Sequence, residues 1–148
     1  MDVEAAENVY FAKRKAMFDA GGTEQLQLAM DDMRGAPTAM RILRDLPVEA
    51  TMDLFAPVFY WATNTHAYVD LSRGLLTRLD AGWLFHALRP LVKLRLDDPT
   101  ADEEDYQRIA EVLQDLDQTF HLNELLDRAQ QSTNPHILDV VEGFRPKP

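Results

Sequence analysis

Chemistry in this chain would have to come from histidine paired with carboxylate. His66 precedes Asp70 by four residues, His121 precedes Glu124 by three, and His136 precedes Asp139 by three. Residues at those spacings share one face of a helix, so each pair would offer a nitrogen and an oxygen to a metal ion. A small helical metal-binding protein or enzyme using these His–carboxylate pairs is therefore one functional reading. None of the pairs completes H-E-x-x-H, and the glutamate-rich pattern of carboxylate-bridged di-iron bundles is missing. The chain has no cysteine, which removes disulfides, thiol nucleophiles and thiolate metal sites together. Its six glycines are scattered apart from Gly21-Gly22, so no glycine-rich loop cradles a phosphate. No G-x-S-x-G elbow occurs, and Ser72 and Ser132 are the only serines. The sequence thus points to no catalytic residue, no resident metal and no cofactor.

Binding is the stronger theme. The net charge is −10, divided as −3 over residues 1–50, +2 over 51–96 and −9 over 97–148. Asp97, Asp98, Asp102, Glu103, Glu104 and Asp105 crowd one loop and helix entry, with Glu111, Asp115 and Asp117 following. A field of this sign repels nucleic acid and anionic lipid and steers a basic protein toward it. The competing reading is that the acids only keep the protein soluble. A second binding candidate is aromatic: among Phe55, Phe59, Tyr60, Trp61, Trp83 and Phe85, a tryptophan at the rim, Trp61 or Trp83, would make an interface anchor. The basic run Lys13-Arg14-Lys15 is short and reads as a solvated helix face.

These residues need a frame, and the periodicity makes it all-α. Apolar residues recur at helical spacing from Val3 to Asp19, ending at Gly21-Gly22, and again at Leu26, Ala29, Met30 and Met33. Met40, Leu43 and Leu46 give a short helix closed by Pro47. Val58-Phe59-Tyr60-Trp61 has strand-like composition, but no second strand exists to pair with it, so a buried central helix begun or kinked by Pro57 is expected. A helix from His66 to Leu79 follows, then one capped by Asp80 and bent at Pro90. Thr100 to Glu103 reads as a capping box leading to Tyr106, Ile109, Leu113 and Leu116. Leu122, Leu125, Leu126 and Ala129 mark the next helix. Asn134-Pro135 opens the last, with Ile137, Val140, Val141 and Phe144 inward and residues 145–148 a frayed tail. Seven to nine short helices in one domain result, with 1–50 as N-terminal helices and 51–144 as a helix-hairpin region.

Thr63-Asn64-Thr65-His66 and Thr133-Asn134-Pro135-His136 share T-N-x-H. With Asp98 between them, Asn64, Asp98 and Asn134 mark expected helix starts at spacings of 34 and 36 residues. From about Asp53 to Phe144 the chain resembles the HEAT-like helical-repeat superfamily on this cadence and on Ser-Thr-Asn-Pro-His-Ile-Leu-Asp-Val-Val-Glu. That resemblance implies stacked antiparallel hairpins, each burying its apolar face against its neighbours, with residues 1–50 outside the cadence. An irregular helical bundle is the alternative architecture. The longest apolar stretch, Leu54 to Ala62, is too short for a membrane span, and the acidic N-terminus is unlike a signal peptide. The expectation is a cytoplasmic monomer or homodimer that binds a basic protein without catalysis, an immunity-type or other inhibitor being the sharpest version.

Overall fold

The computed structural model describes residues 3–5, 8, 23–32, 34–64 and 68–145. The expected helix from Val3 to Asp19, its Gly21-Gly22 end, the Lys13-Arg14-Lys15 run, Met33, His66 and the tail beyond Arg145 fall wholly or largely outside them. From residue 23 onward nine helices follow one another: α1 (Thr23–Met30), α2 (Ala36–Asp45), α3 (Val48–Asp53), α4 (Phe55–Ala62), α5 (Val69–Thr77), α6 (Ala81–Asp97), α7 (Glu103–Asp115), α8 (Thr119–Gln130) and α9 (Pro135–Phe144). No strand occurs among the described residues. The strand-like Val58–Trp61 run is α4, with Val58, Phe59 and Trp61 all buried. Pro57 sits in the first turn of α4, where its missing N–H would have had no helical partner.

The helices form two rows. In one, α1 packs on α4, Phe55 of α4 meets Trp83 of α6 edge-on at 5.1 Å, and α6 lies beside α8. In the other, α2 packs on α5, α5 on α7 and α7 on α9. Contacts between α1 and α2, α4 and α5, α6 and α7, and α8 and α9 close the rows into pairs. Along α6 and α8 the side-chain contacts climb in step: Ala81 with Gln118, Phe85 with His121, Arg89 with Glu124, Leu96 and Asp97 with Arg128. α6 and α8, neighbours in this row and two apart in the chain, therefore run in the same direction. The shared core runs from Leu26 and Met30 through Val58, Leu76, Leu88 and Ile109 to Val141. Residues 23–45 form the α1–α2 pair, which packs on α4 and α5.

Several boundaries differ from the sequence reading. The helix expected to close at Pro47 does end there, with Leu46 as its C-cap, but Pro47 leads at once into a further helix, α3, that the sequence did not separate. The capping box at the start of α7 belongs to Asp102 and Asp105, not to Thr100 and Glu103. Asp105 N–H donates to Asp102 Oδ1 at 3.2 Å, and Asp102 N–H donates to Asp105 Oδ2 at 3.0 Å. Thr100 instead turns its N–H and hydroxyl onto Asp98 Oδ1, at 2.8 and 2.7 Å. Asp98 is the C-cap of α6 rather than a helix start. Thr63 is likewise a C-cap, closing α4 through its hydroxyl on the Phe59 carbonyl at 3.0 Å. Of the three marks, Asn134 alone is an N-cap, accepting from His136 N–H at 2.9 Å. Asp80 caps α6 as its position suggests, by accepting from Trp83 N–H at 3.0 Å.

A different periodicity is present. Each row-one helix after the first reaches back to the C-terminal end of the helix before it. Trp61 Nε1 donates to Met30 O at 2.7 Å, 31 residues earlier. Arg95 Nη1 donates to Thr63 Oγ1 at 2.8 Å, and Arg128 Nη2 to Leu96 O at 2.7 Å, each 32 residues earlier. In the second row Arg78 reaches the Arg44 and Leu46 carbonyls, 34 and 32 residues earlier. The last carbonyls of a helix lack intrahelical donors and carry the negative end of its dipole, so an N–H or a cation is favoured there.

Candidate functional site

The predicted acidic set separates into two groups. Asp97, at the end of α6, accepts from Lys93 at 2.6 Å and from Arg128 at 2.7 Å. These bonds, Lys93 first, hold its carboxyl below the ordinary carboxylate range. Asp98 is also held low, by the N–H and then the hydroxyl of Thr100. Asp105 turns onto Arg95 at 2.7 Å while completing the capping box. Asp97 and Asp105 are therefore engaged in joining helices. Asp102 stays exposed, its side chain taking up one backbone N–H.

Glu103 and Glu104 are placed differently. Together with Gln107, and with His136, Asp139 and Val140 of α9, they line a groove of about 230 Å³ between α7 and α9. Glu104 faces Arg108 at 3.5 Å. Glu103 and Asp139 make no ion pair with another described residue. Asp139 entered the sequence reading only as the neighbour of His136. Its place beside Glu103 depends on α7 and α9 packing together, and no spacing in the chain encodes that.

The remaining acids of α7 act as struts. Arg73 of α5 donates to Glu111 Oε2 at 2.9 Å and lies 3.6 Å from Asp115. Its Nε also holds the Ala62 carbonyl at 3.0 Å. Burial alone would raise the Glu111 carboxyl, but the hydrogen bonds from Arg73 and Gln107 and the charge of Arg108 outweigh it and leave it lowered. Arginines bridging successive pairs were not recognised in the sequence, because their partners are backbone carbonyls or acids on other helices.

The two tryptophans differ in burial. Trp61 is 6% exposed, with its N–H committed to Met30. Trp83 is half-buried and packs edge-on against Phe55. A large ring needs a deep pocket to bury its area, and Trp61 has one. Among the described residues, the exposed aromatic side chains are Tyr60 and Phe120, at 53% and 54%.

The histidine pairs come out unequal. His136 is exposed beside Asp139 in the acidic groove. His121 is buried, with Nε2 at 2.7 Å from the Phe85 carbonyl and Nδ1 at 3.8 Å from Glu124. No three His, Asp or Glu side chains gather as a metal set among the described residues. No helix of the described residues is long and apolar enough to cross a membrane. Set against known protein families, curated proteins and solved structures, the chain matches none.

Proposed function

We propose that this protein is a non-catalytic interaction module on a helical-repeat scaffold of HEAT-like character, and that it binds a basic protein through the α7–α9 face. The observation that carries the reading is the gathering of Glu103, Glu104 and Asp139 from two helices around one open groove, where Glu103 and Asp139 form no ion pair among the described residues. Asp98 and Asp102 extend the same negative surface toward the end of α6. Exposed carboxylates left without internal partners contribute chiefly to encounter rate and partner choice. Inhibition of a basic enzyme or toxin, in the manner of an immunity protein, fits a small acidic scaffold of this kind.

The test combines charge reversal with salt. Glu103→Lys, Glu104→Lys and Asp139→Lys together are expected to abolish capture of the basic partner from the native host. Reversal of Glu49 and Asp53, exposed on α3, should leave capture intact. Association should slow steeply as salt is raised. Binding that survives both the triple reversal and added salt would show that the acids serve solubility alone.

A further inference from the structure

Between α6 and α8 lies a second groove, of about 350 Å³, that shares no residue with the acidic face. Val92, Leu96 and Leu125 give it an apolar floor. At one end stands His121, only 3% exposed. Its Nε2 is 2.7 Å from the Phe85 carbonyl, and a carbonyl can only accept, so Nε2 carries the proton. In the neutral ring Nδ1 is then a lone pair, 3.8 Å from Glu124 Oε2, and both residues border the groove. Two acceptors at that separation call for a donor between them, best a positively charged one beside a carboxylate.

The other end has the opposite need. Asp97 is the one carboxylate serving both Lys93 and Arg128, and Asp127, which also lines the groove, is taken by Arg145, which leaves a cation in excess there. Arg89, 65% exposed, stands at the first end, 3.9 Å from Glu124 and beyond hydrogen-bond reach, so the acceptors there are still without a bonded donor. His121 and Arg128 are two turns apart on α8, about 10 Å at about 1.5 Å rise per residue. An extended peptide covers about 3.3–3.6 Å per residue, so a tripeptide matches the span and a free amino acid does not.

We infer that the α6–α8 groove binds a short zwitterionic peptide with an apolar central side chain. Its ammonium donates to His121 Nδ1 and Glu124, its side chain lies on Val92, Leu96 and Leu125, and its carboxylate meets the Lys93–Arg128 end. The assignment is independent of the acidic face, so either can fail alone.

The experiment is a nitrogen-15 NMR titration of the full chain with the tripeptide Ala-Leu-Ala. The expected result is saturable shifts at the His121 ring nitrogens and at α6 and α8 amides lining the groove. The N-acetylated peptide and the C-terminal amide should each bind about tenfold more weakly, one charged contact being lost in each. Glu124→Gln and Lys93→Met, both at exposed positions, should weaken the peptide to a similar degree while leaving the spectrum of the folded protein in place. Glu103→Lys should change nothing. Equal binding of the acetylated peptide, or of leucine alone, would overturn the assignment. So would shifts at His121 produced by zinc ion and not by the peptide, which would make the pair a metal site, and so would an absence of shifts at millimolar peptide.

Discussion

The joint between α1 and α4 and the joint between α6 and α8 solve the same problem with different chemistry. Each places a donor on the C-terminal carbonyls of the preceding helix in its row. In the first, the donor is the indole of Trp61, 6% exposed and uncharged. In the second it is the guanidinium of Arg128, 41% exposed and shared with Asp97. Arg95, at the joint between them, is intermediate in exposure as well as in position. A neutral ring can enter a core because it brings apolar area and one hydrogen-bonding atom, whereas a guanidinium keeps its charge hydrated at the surface. The position of the donor near the C-terminal end of its own helix is what the joints have in common, and its chemical type follows the local depth.

The largest effect should therefore appear at the first joint. Trp61→Ala is expected to cost about 3–5 kcal/mol, the range for removing a buried tryptophan, measured by urea unfolding. Arg128→Ala should cost distinctly less, since surface ion pairs contribute little. Equal losses would break the contrast and place the two joints at the same depth energetically.

Glycine replacement sharpens it at the level of whole helix pairs. A Cβ on Gly35 would stand 2.7 Å from the Ala29 carbonyl oxygen, so α1 and α2 close on each other through backbone with no side chain to yield. Gly35→Ala should cost about 1–3 kcal/mol, as overpacking does. A Cβ on Gly143 of α9 meets nothing within 4 Å. Gly143→Ala should be neutral or stabilising by up to about 1 kcal/mol, from helix propensity. The opposite signs would mark a tight first pair and a loose last one.

The all-helical frame, the Asp80 and Asn134 caps and most inward residues were legible in the sequence, because apolar period and cap chemistry are local properties. The T-N-x-H marks misled because threonine and asparagine serve either end of a helix. At Thr63 and Asn64 the side chains donate backward to Phe59 and Tyr60 carbonyls and close α4. At Asn134 the side chain accepts forward from His136 and opens α9. Residue type alone does not give that direction. The periodicity of the joints was hidden for a related reason: its acceptors are mostly main-chain carbonyls, and its donors are tryptophan at one joint and arginine at the others. The acidic groove was half visible. Glu103 and Glu104 stood out by density, while Asp139 required knowledge that α9 lies on α7.

At the entry to α7 the charged half of the molecule allows a finer test of local chemistry. Asp102→Ala should cost about 1 kcal/mol, the usual scale of a lost N-cap. Thr100→Ala should cost less, since Thr100 supports only the Asp98 turn outside the helix. Circular dichroism melts of the two variants decide the matter, and the reverse order would restore Thr100 as the cap.

The smallest effect separates the joints by pH. Asp97 has its carboxyl lowered in the folded protein, by the hydrogen bond from Lys93 and then by that from Arg128. A carboxylate whose folded pKa lies below its unfolded value of about 3.9 contributes stability that is fully present above that value. The contribution is lost as pH falls through the folded pKa. Asp97→Asn keeps the shape of the side chain and removes the charge, so it should lower the urea midpoint slightly at neutral pH. That difference from wild type should close as pH drops below about 4, and should also narrow with added salt. The hydrogen bond from Trp61 to Met30 involves no titrating group, since neither an indole N–H nor a carbonyl gains or loses a proton over the same range. The deficit of Trp61→Ala should therefore stay constant while the Asp97→Asn deficit disappears. If both deficits shrink together, acid is loosening the stack as a whole, and the division into a neutral and an electrostatic joint fails. If neither changes, Asp97 acts on Arg128 through hydrogen-bond geometry alone, which asparagine preserves, and the charge of the pair contributes nothing to holding α8 against α6.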